Sequence, residues 1–120
     1  MTVFNRAHIP ETHYDLQASL QLMGNKEPVA RELAMMLKDQ LPEFNTQLHA
    51  AFEKNDAQEI QTVAHKLHGG ICYVITPKLK YLISQLETAC KQHPEDIKLI
   101  SPYIGSSIND LHAALTQTFK

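Results

Sequence analysis

The sequence predicts an all-α protein, an antiparallel four-helix bundle with a short extra helix in front. Glycine is scarce, with 4 among 120 residues, and no alternating strand pattern persists along the chain. Apolar residues instead recur every three or four positions in four long segments, which is the period of a helix with one apolar face. Short loops between such helices let them bury their apolar faces together in a bundle.

Composition and charge indicate one globular domain. Hydrophobic residues make up 43% of the chain and charged residues 20%, which suits one modest core. The formal net charge of −2 is far from that of a nucleic-acid binder. No apolar run approaches the roughly 18 residues of a membrane span. We therefore expect neither nucleic-acid binding nor membrane insertion, and predict an N-terminal extension over residues 1–13 before a bundle over 14–120.

The first helical segments follow from their turn residues. The stretch to about His13 has no helical period, so we expect it to lie along the surface or to be mobile. A short helix is predicted from Tyr14 to Met23, because Gly24-Asn25 ends the pattern. A long helix is predicted to begin near Pro28 and to continue past Pro42, where an unbroken phase favours a kink over two separate helices. Its apolar stripe comprises Val29, Leu33, Met36, Leu37, Leu41, Phe44, Leu48, Ala51 and Phe52.

Three further start signals complete the bundle. Asp56 followed by Glu59 resembles a capping box and predicts the start of the next helix, to about Ile71. Thr76-Pro77, a cap residue followed by proline, predicts a helix that reaches about His93. Ser101-Pro102 repeats this signal, so we predict that the last helix starts there.

The helix after Asp56 carries the candidate chemistry. At about 100° per residue, His65 falls roughly 140° from the stripe centre at Ile60, on the solvent side. His68 falls at roughly 80°, between His65 and the core. We therefore predict an exposed His65 and a boundary position for His68.

Gly69 and Gln61 lie one turn to either side of His65 on the same outer face. The pair Gly69-Gly70 costs roughly 1 kcal/mol per glycine relative to alanine inside a helix. One explanation is fraying at the end of the helix. The other is that a partner surface must approach His65 closely, which a side chain at position 69 would block.

The following helix carries a second polar stripe, which consists of Lys80, Ser84, Glu87 and Lys91. If this helix packs beside the preceding one, the stripe can face His65. A carboxylate bonded to one imidazole nitrogen fixes the tautomer and makes the other nitrogen a better nucleophile, and the lysines could balance added charge. The simpler interpretation of Glu87 and Lys91 is an ion pair on a solvated face.

The hexapeptide Ala64-His65-Lys66-Leu67-His68-Gly69 resembles the phosphoacceptor signature of histidine phosphotransfer (HPt) domains, which is usually Ala-His-x-Leu-Lys-Gly. With Tyr73 and Pro77, the segment is most similar to the C-terminal HPt module of BarA-type tripartite hybrid sensor kinases. The resemblance covers roughly residues 14–93. It departs from the signature at His68, where lysine is usual, and at Ile75, where a glycine is usual.

The resemblance implies a role for each residue of the candidate site. His65 would carry the phosphate on an imidazole nitrogen, and Glu87 would face and orient it. His68, Lys91 and Lys80 would surround the phosphate. On the docking face, Gly69 would admit the partner and Gln61 would line the contact.

The resemblance also implies a phosphorelay function. The module would accept phosphate from the phosphoaspartate of a receiver domain in a hybrid sensor kinase and pass it to a response regulator. It would need no cofactor of its own, since Mg²⁺ would come with the receiver. The chain has no phosphate-binding loop and no nucleophile elbow, so we do not expect a stand-alone enzyme. We expect a cytoplasmic monomer.

Other interpretations remain open at this stage. His65 could be an ordinary surface histidine and His68 a boundary residue that packs against the core. The chain could be a helical adaptor that docks a receiver domain without carrying phosphate. His65, His68 and Cys72 have spacings that could ligate zinc or copper, although the glycine pair loosens such a site and no fourth ligand is near. We expect Cys72 and Cys90 to serve as small apolar residues, too few for a disulfide scaffold.

Overall fold

In the computed structural model, which describes residues 3–119, four long helices form an antiparallel bundle behind a short N-terminal helix. The short helix is α1 (Leu16–Leu22), and the long helices are α2 (Glu27–Glu53), α3 (Ala57–Gly70), α4 (Pro77–Gln92) and α5 (Ile97–Thr118). α3 packs between α2 and α4, and α5 closes the bundle by packing against α4 and α2. The predicted fold class is confirmed, and the described residues contain no strand. None of their helices is long and apolar enough to cross a lipid bilayer.

The core consists of one apolar stripe from each long helix, with its largest buried side chains at positions 37, 41 and 48 of α2, 60 and 67 of α3, 79, 82, 83 and 86 of α4, and 100, 104 and 108 of α5. The predicted stripe of α2 is too wide. Met36 is 53% exposed and Val29 is also exposed, because both lie about 100° from the centre of the buried face. α2 passes through Pro42 as one helix and not as two, so this part of the prediction is confirmed.

α1 is short because both of its ends are fixed by local signals. The side chain of Asp15 caps the start and accepts a hydrogen bond from the Ala18 N–H at 3.0 Å. Gly24 and Asn25 follow the helix with φ of +63° and +61°, a left-handed conformation that glycine and asparagine tolerate best. The predicted stop is therefore confirmed.

The N-terminal extension lies along the surface and is tied to the bundle. The N–H groups of Val3 and Phe4 donate to Oδ2 of Asp96, at 2.8 and 3.0 Å. Phe4 also packs against Tyr103 of α5, with ring centroids 5.9 Å apart. Residues 1 and 2 of the predicted extension, and residue 120 of the predicted bundle, lie outside the described residues.

α3 begins where the sequence predicts. Oδ1 of Asp56 accepts hydrogen bonds from the N–H groups of Gln58 and Glu59, at 3.1 and 3.2 Å. Glu59 does not complete the reciprocal half of a capping box. Its carboxylate lies 3.4 Å from Nζ of Lys54 instead. The cap therefore rests on the aspartate alone.

α4 begins at Pro77, as predicted, but Thr76 does not cap it. The Thr76 hydroxyl is buried and forms no hydrogen bond with any residue from 3 to 119. The turn before it is held by α1 and its cap residue, because Ile75 N–H donates to Oγ of Ser19 at 3.1 Å and the Ile75 carbonyl accepts from the Asp15 N–H at 2.9 Å. Ile75 does not have a positive φ, so this turn needs no glycine.

The predicted start of the last helix at Ser101-Pro102 is wrong. A 3-10 turn over Pro94–Asp96 leads directly into α5 at Ile97, and the helix continues through Pro102. Pro102 is the sixth residue of α5, so its missing N–H leaves only the carbonyl of Lys98 unpaired. Lys98 is exposed, so water can bond that carbonyl.

Candidate functional site

His65 projects from the outer face of α3 into solvent, as the helical arithmetic predicts. Its side chain is 81% exposed. Its neighbour Ala64 is fully buried, and so is Leu67, two positions after His65. The buried residues fix the rotation of α3 about its axis, and that rotation keeps the imidazole outward.

The surface beside His65 is open at Gly69. Apart from its chain neighbours and the backbone of α3 itself, a Cβ atom placed on Gly69 would meet no heavy atom of the described residues within 4 Å. A Cβ on Gly70 would lie 3.8 Å from Gln40 Oε1 and 3.9 Å from Phe44 Cε2, which is ordinary contact. Packing therefore requires a glycine at neither position. Both glycines are the last residues of α3, so a frayed helix end and access to His65 remain the two explanations.

Glu87 of α4 lies between the two histidines of α3. Its Oε1 is 2.7 Å from Nδ1 of His68, and its Oε2 is 3.6 Å from Nδ1 of His65. The first contact is a short hydrogen bond, whereas the second is too long to be one. The sequence predicts that Glu87 faces His65. The structure places it there, but its hydrogen bond goes to His68.

The carboxylate of Glu87 is largely shielded from water, with 16% of its side chain exposed, against 35% for His68. An ionised carboxylate accepts only, so Nδ1 of His68 carries the hydrogen of their bond. Bonds of this kind are about twice as strong as those between neutral groups. At 2.7 Å, this pair is the shorter of the two contacts that Glu87 makes with the histidines of α3.

A depression of about 330 Å³ opens beside this pair. Its lining consists of His68, Ser84, Glu87, Thr88, Lys91 and Gln92. The predicted polar stripe of α4 is thus brought to His68, apart from Lys80, which is exposed and not part of the lining. Lys91 forms no ion pair with Glu87. The simpler interpretation of these two residues, an ion pair on a solvated face, is therefore wrong. Gln61 is half-buried on α3, one turn before His65.

Sequence reasoning missed Thr88 and Gln92 as parts of this depression. Thr88 lies four positions after Ser84 and Gln92 lies eight after it, so helical spacing alone could have added them to the stripe. The hydrogen bond between His68 and Glu87 could not be predicted from helical spacing. It depends on how far α4 is shifted along α3, which neither helix specifies by itself.

The two cysteines differ. Cys72 is exposed, so its predicted apolar role is wrong, and its Sγ lies 3.4 Å from the carbonyl oxygen of His68. Cys90 packs partly buried against the core, as predicted. Burial, together with the negative charge of Glu87, raises the pKa of the Cys90 thiol to about 11. Residues 3–119 contain no group of three or more His, Cys, Asp or Glu side chains that could hold a metal ion, so His65, His68 and Cys72 form no such group.

A family comparison covers most of the bundle. Residues 32–118 match the family model described as Hpt domain. The chain belongs to the HPt family. It is a histidine phosphotransfer module of the kind used in phosphorelays, in which HPt domains interact with receiver domains.

Curated relatives of this HPt domain are sensor kinases. It is 30% identical over 78 residues to the signal transduction histidine-protein kinase BarA of Escherichia coli K12, an alignment that covers 65% of this chain and 8% of the kinase. It is 25% identical over 108 residues to the sensor protein GacS of Pseudomonas syringae pv. syringae, covering 90% of this chain and 11% of GacS. The chain thus spans about a tenth of the length of these relatives.

Solved structures show the same fold. The HPT domain of a sensor hybrid histidine kinase from Shewanella superposes with a TM-score of 0.81 at 27% identity, covering 88% of this chain and 92% of that one. The histidine-containing phosphotransfer protein B from Pseudomonas aeruginosa PAO1 gives a TM-score of 0.76 at 19% identity, covering 92% and 96%. The second likeness concerns the fold alone.

Proposed function

We propose that His65 is the phosphoacceptor of this HPt domain. It accepts a phosphoryl group from the phosphoaspartate of a receiver domain in a hybrid sensor kinase and passes it to the receiver of a response regulator. The observation that supports this most directly is the position of His65, an exposed imidazole with a shielded carboxylate facing its Nδ1 and open space over Gly69. A surface histidine without a role needs neither feature.

The transfer begins with the lone pair on Nε2 of His65, which attacks the phosphorus of the acyl phosphate. The new N–P bond forms as the P–O bond to the aspartate breaks, and the electron pair leaves on the aspartate carboxylate. The imidazole keeps its hydrogen on Nδ1 and becomes positively charged. Glu87 faces that nitrogen and stabilises the charge, as a carboxylate does beside a catalytic imidazole.

The remaining site residues serve the phosphoryl group and the partner. Lys91 stands at the edge of the depression beside Glu87 and offers a positive charge to the phosphate, as does Lys80 from farther away. Mg²⁺ belongs to the acidic site of the receiver, where it neutralises the phosphoaspartate. Gly69 lets the receiver surface approach, and Gln61 lines the docking face. The domain acts as a monomer on the cytoplasmic side.

The experiment is transfer from receiver domains that have been charged with acetyl phosphate in Mg²⁺. Wild type should gain phosphate that is labile to acid and stable to base, and His65→Gln should gain none while it keeps its helical content. The control is His49→Gln, because His49 is a similarly exposed histidine on α2, with 76% of its side chain exposed.

The outcomes separate the alternatives. Normal labelling of His65→Gln would show that another residue is the acceptor. If receivers from a panel that spans the source genome bind wild type without transferring phosphate, the chain is the helical adaptor that the sequence left open.

A further inference from the structure

The short hydrogen bond between His68 and Glu87 assigns a role to His68 that differs from direct contact with phosphate. We propose that His68 is a positioning residue, which acts on His65 through the carboxylate of Glu87. This inference rests on the proposed role of His65 as the acceptor. It replaces the expectation that His68 mainly surrounds the phosphoryl group.

The first argument is that the two carboxylate oxygens of Glu87 face different histidines. Oε1 of Glu87 is held by Nδ1 of His68 at 2.7 Å, while Oε2 stands 3.6 Å from Nδ1 of His65. Because the contact with His65 is too long to be a hydrogen bond, His65 does not hold Glu87 in place. The only side chain that hydrogen-bonds Glu87 among the described residues is His68.

The second argument is competition for the same carboxylate. Lys91 lies four positions after Glu87 on α4, the spacing at which lysine and glutamate commonly pair, and it lines the same depression. No such pair forms. A glutamate side chain has three rotatable bonds, so without His68 the carboxylate could turn toward Lys91 and away from His65. His68 therefore selects the orientation in which Oε2 faces the acceptor.

The third argument is the chemistry of transfer. Positive charge develops on the His65 ring as the N–P bond forms, and its Nδ1–H is the donor that a carboxylate can meet. Contacts of this kind are often long in the unbound protein and shorten in the reacting complex. Since His65 is exposed and free to turn, a fixed Oε2 lets a small ring rotation complete the bond. A mobile carboxylate would have to be ordered at each turnover.

The test uses phosphoramidate, a small donor that needs no receiver. Its P–N bond breaks as the bond to imidazole forms, and ammonia leaves from its ammonio form. Phosphate on the peptide that contains His65 is measured by mass spectrometry at neutral pH. His49 in the same sample is the internal reference. Its Nε2 lies 3.6 Å from Oε1 of Glu53, and within residues 3–119 no second histidine contacts that carboxylate.

Four variants form the experiment: His68→Leu, Glu87→Ala, the double variant, and His68→Gln. We expect the two single changes to slow labelling of His65 about tenfold each, with no further loss in the double variant, because both remove one shared effect. His68→Gln should recover part of the rate, since its amide N–H can still donate to Glu87. Labelling of His49 should not change, and thermal melting should confirm that each variant is folded.

Two results would overturn the inference. If the two single effects multiply in the double variant, His68 acts independently of Glu87, as a direct phosphate contact would. If His68→Leu labels His65 at the wild-type rate, His68 has no role in reactivity. A different result would overturn the proposed function. Charged receivers would then label His65→Gln to the same extent as wild type, whatever the phosphoramidate rates show.

Discussion

Asp96 and Val3 are joined across 93 positions of the chain by a hydrogen bond of 2.8 Å from the backbone N–H of Val3 to Oδ2 of Asp96. Phe4 donates to the same oxygen, and Asp96 is buried at the junction of α4 and α5. Burial alone would raise the pKa of Asp96. The two N–H donors and the nearby charge of His93 outweigh it, so the pKa lies below its ordinary value.

Replacement of Asp96 by asparagine should destabilise the domain at neutral pH by about 1–2 kcal/mol, because a charged acceptor of two N–H groups is lost. The sign of the pH dependence follows from the lowered pKa. The contribution of Asp96 is present above its unfolded pKa near 4 and is lost as the pH falls through the lower folded value.

The measurement is thermal melting of wild type and Asp96→Asn at pH 7 and near pH 3. The gap in Tm should be largest at pH 7 and should shrink in acid. Asp39→Asn on the exposed face of α2 is the control. A gap of equal size at both pH values would mean that ionisation of Asp96 contributes nothing to stability.

Thr76 offers a test in which two interpretations predict different changes in stability. If its hydroxyl capped α4, Thr76→Val would cost about 1 kcal/mol. The structure instead shows a buried hydroxyl without a partner, so the isosteric valine should leave stability unchanged or raise it by about 1 kcal/mol. Urea unfolding measures the difference. Ser107→Ala on α5, which removes another buried hydroxyl without a partner, should behave in the same direction.

Substitutions at Gly69 should distinguish an effect on helix stability from an effect on access to His65. Gly69→Ala should stabilise the domain by up to about 1 kcal/mol, because its Cβ meets nothing. Gly69→Leu should slow transfer from a charged receiver more than it lowers Tm. The comparison variant is Gly70→Ala, whose Cβ makes ordinary contact with α2 and should leave transfer unchanged. Equal transfer rates for Gly69→Leu and wild type would favour the frayed helix end as the reason for the glycines.

Alkylation should distinguish the two thiols. At pH 8 iodoacetamide should modify exposed Cys72 while Cys90 stays largely unmodified, because burial and the charge of Glu87 raise the pKa of Cys90 to about 11. Glu87→Gln removes one of these causes and should speed modification of Cys90. Cys72→Ser isolates the second thiol for the measurement. Fast modification of Cys90 in folded wild type at pH 8 would contradict the raised pKa.

Local signals predicted much of the fold. Asp56 and Pro77 start their helices where the sequence indicates, since a cap and a helix-starting proline act within one turn. The same reasoning failed at Pro102, because a proline near a helix start is tolerated one turn later than its ideal position. It also failed at Met36, because periodicity gives the direction of an apolar face more reliably than its width.

In the candidate site, the sequence predicted only those features that depend on a single helix. The rotation of α3 placed His65 outward and His68 at the boundary, and both positions follow from angular arithmetic. The hydrogen bond from His68 to Glu87 joins two helices. It depends on the path of residues 71–76 and on what holds that path, and no pattern within α3 or α4 contains this information.

The two hydrogen bonds that join Ile75 to Ser19 of α1 and to its cap residue Asp15 have a consequence for the site. A helix rises 1.5 Å per residue, so a slide of α4 by one residue along α3 would carry Glu87 about 1.5 Å away from its histidines. Ser19 and Asp15 form hydrogen bonds with the backbone of Ile75, just before the start of α4, where such a slide would begin. The short first helix and its cap residue thus limit the movement of α4 along α3. In this way they set the position of the Glu87 carboxylate without contacting it.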